Sequence, residues 1–202
     1  MPTGVALRDA RQQLFTAAER ILITDGPHAL TSRAVTAEAG VAKGVLHRHF
    51  ADFDAFLAEL AEDRIARIGA QAAALHESAG TGTVAGNLTS VLTDLFSSVA
   101  VAIVALITFR DDLRARLRAT TPRGVPLLTE AGAMIASYLT AERDLGRIAA
   151  DADTGTLAST LLGATHLLFA DRTGAAPEPE AVRKLVTAVI AGVVRDDIPG
   201  SS

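Results

Sequence analysis

The residues whose types and spacing point most directly to chemistry are Lys43, Gly44, His47 and Arg48. Lys43 and His47 are four residues apart, as are Gly44 and Arg48, so a helix through them puts both pairs on one side. That side is polar, compact and free of acids. A short helix carrying it fits the major groove of DNA, where basic side chains reach phosphates and base edges. The chemistry indicated is recognition, not bond making. No HExxH, GxSxG or GxxxxGK[ST] pattern occurs, and there is no cysteine to serve as nucleophile, disulfide partner or metal thiolate. The glycines around Thr81 follow no predicted strand, so they do not form a phosphate loop. Asp111 and Asp112 open a predicted helix rather than forming a catalytic pair. The sequence therefore argues against an enzyme, a cofactor and a metal site.

The elements that must position the polar face are all helical. Alternating β-branched runs are absent, and the chain is rich in Ala, Leu, Arg and Glu. The first helix is expected over about 5–25, with Leu14, Ala18, Ile21 and Leu22 on its apolar face. Gly26-Pro27 ends it as a left-handed cap followed by a residue that cannot continue a helix. Thr31 is the N-cap of a short helix over 32–39, Gly40 permits a sharp turn, and a second short helix covers 42–49. Val35, Ala39, Val41, Leu46 and Phe50 supply a small core for this pair. Asp52 caps a long helix from Phe53 to about His76. Further helices are expected over 84–109, 111–120, 125–143, 154–173 and 178–195.

Two short helices joined by a glycine turn make a helix-turn-helix. The stretch resembles the TetR family signature through Thr31, Arg33, Ala39-Gly40-Val41, Lys43-Gly44, Leu46, Arg48-His49-Phe50 and Leu57. The resemblance covers about a quarter of the chain. It implies an N-terminal three-helix DNA-binding domain, residues 1–52, continuous with a helical ligand-binding and dimerisation domain, residues 53–202. It also implies a regulator, here a repressor released from its operator by a small molecule. DNA contacts are then expected from Thr31, Arg33, Lys43, Gly44, His47, Arg48 and His49. Four positions depart from the family pattern. His47 stands where a tyrosine is usual, Ala42 where a capping serine is usual, and Thr36 where a small residue packs. Phe53 replaces a lysine that commonly contacts the DNA backbone.

The remaining helices carry the expected effector site and dimer seam. Val99 to Phe109 is apolar all round, as a buried helix is. Phe96, Phe109, Met134, Tyr138, His166 and Phe169 are the candidate ligand-binding residues, because a cavity of apolar groups with a few polar exceptions is the usual small-molecule site. Tyr138 and His166 stand out, since a buried polar group needs a partner. The effector is expected to be apolar and uncharged. Leu161, Leu185, Val189 and Val193 are expected on an apolar seam, and Gly155, Ser159 and Gly163 recur every four residues, permitting close helix approach. By resemblance, the last two helices pair with their copies in a homodimer, and a two-fold dimer implies a pseudo-palindromic operator.

Charge is consistent with this division. The net charge is −4, yet residues 1–50 hold six Lys/Arg against four Asp/Glu, and three of the five histidines. A local basic surface binds phosphate whatever the total charge. The N-terminus lacks the basic and apolar segments of a signal peptide, and Val99–Phe109 is far short of the roughly 20 apolar residues a membrane span needs. A cytoplasmic protein with no membrane partner is expected. The competing reading is a small-molecule-binding dimer with lost or weakened DNA binding, which the departures at His47 and Phe53 would favour.

Overall fold

The structure is a computed structural model that describes residues 4–96, 99–119, 121–170 and 177–195, with backbone alone for residues 4–9. Among the described residues ten α-helices follow in order: α1 Gly4–Thr24, α2 Ser32–Glu38, α3 Gly44–His49, α4 Phe53–Glu77, α5 Val84–Phe96, α6 Ala100–Thr108, α7 Asp111–Leu117, α8 Leu128–Asp144, α9 Thr154–Ala170 and α10 Pro179–Ile190. Among the described residues the one β interaction is an isolated antiparallel bridge between Ile148 and Val194. By contacts the chain forms two compact units, residues 1–64 with 99–126, and residues 65–98 with 127–202.

The first unit holds α1, α2, α3, the opening turns of α4, and α6 and α7. Leu14, Ala18 and Leu22 of α1 are buried with Val35 of α2 and Leu46 of α3, as their helical spacing requires. Helix α1 stops where Gly26, at φ 83°, turns the chain and donates to the Ile21 carbonyl at 3.1 Å. A short 3₁₀ turn over Pro27–Ala29 follows. The Thr31 hydroxyl accepts from the Ala34 amide at 3.1 Å, capping α2. Gly40, at φ 66°, lets the chain reverse into α3, a conformation that costs any side-chain-bearing residue. The Asp52 carboxylate accepts from the Ala55 amide at 2.6 Å and starts α4. Helix α6 packs against α1 and the 3₁₀ turn, burying Ile103, Leu106 and Ile107.

The second unit holds the rest of α4 with α5, α8, α9 and α10. Leu88, Leu92 and Leu95 of α5 share its core with Ile135 and Leu139 of α8, Ala158 and Leu161 of α9, and Val182, Val186 and Ile190 of α10. The packing corrects two expectations. The single helix expected over 84–109 is two helices, and they lie in different units; each half buries its own apolar run. Leu161 is wholly buried within its own unit, so it cannot lie on a seam between copies. The other expected seam residues, Leu185, Val189 and Val193, are half-buried. The last three residues of the helix expected over 154–173 lie outside the described residues.

Candidate nucleic-acid interface

Helix α3 is six residues long and ends in His47, Arg48 and His49. Six residues cannot hold a helix in water alone, so tertiary contacts must. Leu46 and Phe50 provide them from the inner face, both buried. The Phe50 ring lies 5.0 Å from Phe56 of α4, edge to face, and 5.8 Å from Phe15 of α1. Phe15 and Phe56 are 5.7 Å apart and close the cluster. The Arg11 guanidinium sits 4.6 Å above the Phe50 ring, donates to the His49 carbonyl at 3.3 Å and pairs with Glu59 of α4. These contacts fix α3 between α1 and α4 and leave its opposite face to solvent.

On that face Lys43, Gly44, His47 and Arg48 are exposed, and Thr31 and Arg33 are exposed on α2. His49 is the exception among the seven expected DNA-contact residues. It is half-buried, with its ring 6.4 Å from Phe50. No side chain caps α3, and its N-cap is Lys43 rather than the expected Ala42. Thr36 is accommodated by its own helix: its hydroxyl donates to the Ser32 and Arg33 carbonyls at 3.0 and 3.2 Å, so a buried hydroxyl is satisfied locally. Phe53 stacks on Phe56 with ring centroids 5.6 Å apart.

Asp52 and Asp54 at the start of α4 are both ion-paired. Arg116 of α7 donates to Asp52 at 2.9 Å, and Arg110 to Asp54 at 2.6 Å. The Ala55 amide and Arg116 hold the Asp52 carboxyl below the ordinary carboxylate range, because both favour the charged form. Sequence reasoning missed these arginines. The signal available was their density: residues 110–123 hold five Arg against two Asp.

The candidate ligand residues divide. In the second unit Phe96 is stacked on Phe169 at 5.9 Å and set edge-on to His166 at 5.9 Å. Met134 is buried. Tyr138 is also buried, but its hydroxyl already donates to Glu142 at 2.6 Å and accepts from Asn87 at 3.0 Å. The expectation that a ligand would satisfy it is therefore corrected. Burial, with the neighbouring Glu142 carboxylate, raises the Tyr138 phenol well above its usual range and keeps it a neutral donor. Phe109, expected to be enclosed, is 86% exposed in the first unit; it follows the last turn of α6, whose inward positions are already filled. His166 is different. Its Nδ1 is buried without a hydrogen-bond partner, and it borders a groove of about 470 Å³ between α8 and α9. Gly132, Ala133 and Ala136 form one wall, Gly155, Ser159 and Gly163 the other. Of the six candidates only His166 lines it.

No single helix among the described residues is long and apolar enough to cross a membrane. Compared by sequence with curated proteins, the chain has no match. Residues 14–60 match the family described as bacterial regulatory proteins, tetR family. Those residues span the second half of α1 through the first turns of α4. The whole chain shares its fold with solved structures at low identity. A TetR-family transcriptional regulator from Agrobacterium tumefaciens superposes with a TM-score of 0.71 at 12% identity, covering 94% of this chain and 100% of that one. The reduced form of E. coli NemR gives 0.71 at 16%, with 94% and 100% covered. The fatty acid degradation regulator FadR from Bacillus halodurans gives 0.68 at 16%, with 91% and 95% covered. A helix-turn-helix with an exposed basic face and the family match that spans it have one meaning together: residues 14–60 form a DNA-binding domain of the tetR family of bacterial regulatory proteins, and nearly the full length has the fold of TetR-family regulators.

Proposed function

We propose that the protein is a cytoplasmic homodimeric repressor that α3 seats on a pseudo-palindromic operator and that a small-molecule effector releases. Residues 1–52 bind DNA in this reading, and residues 53–202 bind effector and partner. The observation that carries it is the acid-free exposed face of α3, held from behind by Leu46 and Phe50. Lys43, His47 and Arg48 reach phosphates and base edges there, with Gly44 letting the backbone approach; Thr31 and Arg33 flank them from α2, and His49 contributes at the rim. Lys43→Ala and Arg48→Ala are expected to leave the fold intact, since both side chains are exposed. Each lost phosphate contact reduces the salt dependence of binding by about one unit of slope, and a lost base contact costs about 1–3 kcal/mol. Operator titrations at several salt concentrations check this. Wild-type affinity in both variants would show that another face docks.

The dimer reading is supported by an exposed crest on α9, where Thr156, Thr160, Gly163 and Leu167 are all open to solvent, Leu167 at 73%. Small residues there let a second helix come close, with Leu167 as the apolar anchor. Leu167→Glu should leave the protomer folded and shift sedimentation at micromolar concentration from dimer to monomer, because a charge buried at the seam lacks a partner. A wild-type protein that sediments as a monomer would reject the dimer itself. The effector reading rests on the α8–α9 groove and the unpartnered Nδ1 of His166. That setting suits a compact, largely apolar molecule with one hydrogen-bonding group. A compound that releases the wild type from DNA should lose this effect in His166→Ala. Equal release of both proteins would place the effector elsewhere.

A further inference from the structure

The basic charge of the first unit extends beyond its helix-turn-helix. Residues 110–123 contribute Arg110, Arg114, Arg116, Arg118 and Arg123 against Asp111 and Asp112. Arg114 is paired with Asp111 within α7. Arg110 and Arg116 instead reach the first turn of α4, immediately beyond the end of α3. Arg116 bonds one oxygen of Asp52, while the other oxygen accepts from the Ala55 amide. The Arg116–Asp52 pair is the more open of the two, with side chains 44% and 51% exposed, against 38% and 30% for Arg110–Asp54.

We propose that Arg116 is a DNA phosphate contact, supplied from α7 to the interface formed by α3. The proposal rests on the reading of α3 as the recognition helix. A helix seated in a major groove about 12 Å wide is flanked by the phosphate chains, and helix starts and basic side chains around it are the usual backbone contacts. The turn between α3 and α4 occupies such a flank. It must carry Asp52, because Asp52 caps α4, yet a bare carboxylate there repels the phosphates. Arg116 resolves the conflict. One arm neutralises Asp52, and a guanidinium has more donors than that bond uses, leaving others for a phosphate oxygen.

The full-length protein and a fluorescent duplex of random sequence test this, with affinity measured between about 50 and 200 mM salt. Arg116→Gln is expected to weaken binding several-fold at the low end and to flatten the salt slope by about one unit, and Arg116→Lys to restore the slope. Asp52→Asn separates contact from clamp. Asparagine is as good a cap, so α4 is kept while the negative charge is lost and Arg116 is freed. Affinity should then rise. If Arg116 merely clamps α4, Asp52→Asn will weaken binding as Arg116→Gln does, and the proposal fails. Lys43→Ala, run beside them, reads the recognition face itself. A flattened slope there with none in Arg116→Gln rejects Arg116 alone; no flattening in either rejects both.

Discussion

Glu142→Ala is expected to destabilise the second unit by about 3–5 kcal/mol, the usual cost of leaving a buried ion-pair partner alone. Glu142 has no solvent exposure and three neighbours depend on it directly. Its Oε1 accepts from the Tyr138 hydroxyl at 2.6 Å, and its Oε2 accepts from the Gly80 amide at 3.3 Å and lies 3.4 Å from Arg147. Asn87 extends the network by donating to Tyr138 and to the Thr81 carbonyl, both at 3.0 Å. Arg147 donates onward to the Gly82 carbonyl at 2.7 Å. One carboxylate therefore fastens the 78–83 turn, the start of α5 and the end of α8. Alanine would strand a guanidinium whose side chain is only 14% exposed, together with an amide and a phenol. Tyr138→Phe removes the hydrogen bond to Glu142 and the one from Asn87 but strands no charge without its ion-pair partner, and should cost less, about 1.5–3 kcal/mol. Urea unfolding followed by circular dichroism checks the order. A Glu142→Ala midpoint equal to wild type would mean that the network contributes no net stability.

Phe56→Ala should cost a comparable amount, about 3–5 kcal/mol, but in the first unit. Phe56 is wholly buried and touches Phe15, Phe50 and Phe53, so one truncation opens a cavity among three rings. Edge-to-face and offset ring pairs add about 0.5–1.5 kcal/mol each beyond their buried area. The functional consequence follows from the shortness of α3, which depends on Phe50 and Leu46 for its position. Phe56→Ala should therefore lose DNA affinity without any change at Lys43, His47 or Arg48. Phe56→Leu, which refills most of the volume, should recover most of the stability. Thermal melts read beside duplex binding distinguish this route from loss of a direct contact. Unchanged melting and unchanged affinity would show that the ring cluster does not hold α3.

The two substitutions also separate what could be read along the chain from what could not. Caps and turns were legible because they are local. Thr31, Asp52 and Gly26 act within a few residues of themselves, and their side chains or φ angles do what their types require. The exposed face of α3 was legible for a related reason: at i, i+4 spacing a short helix has one inner face, and Leu46 and Phe50 claim it. The ligand residues were not. Tyr138 is polar and buried, which suggests an unmet need, but the partner that meets it is Glu142, one turn along the same helix. That i, i+4 pair was present in the sequence, yet an acid near a helix end is ordinarily solvated, so the spacing did not mark it as buried.

By itself, the sequence determined an all-helical chain, the helix-turn-helix near its N-terminus, the polar face of α3 and the TetR resemblance of that segment, whose residues 14–60 match the family. Each depends on periodicity, capping or side-chain type over fewer than about ten residues, the range within which backbone geometry is set by neighbours. Only the tertiary structure decided the assignment of α6 and α7 to the same unit as α3, the burial of Leu161, the exposure of Phe109 and the pairing of Arg116 with Asp52 across 64 residues. An apolar run records that a helix will be buried without recording against what, and an arginine carries no mark of which carboxylate it will meet. Those partners are fixed by the closure of the chain on itself, where shape and charge far apart in sequence must be satisfied together.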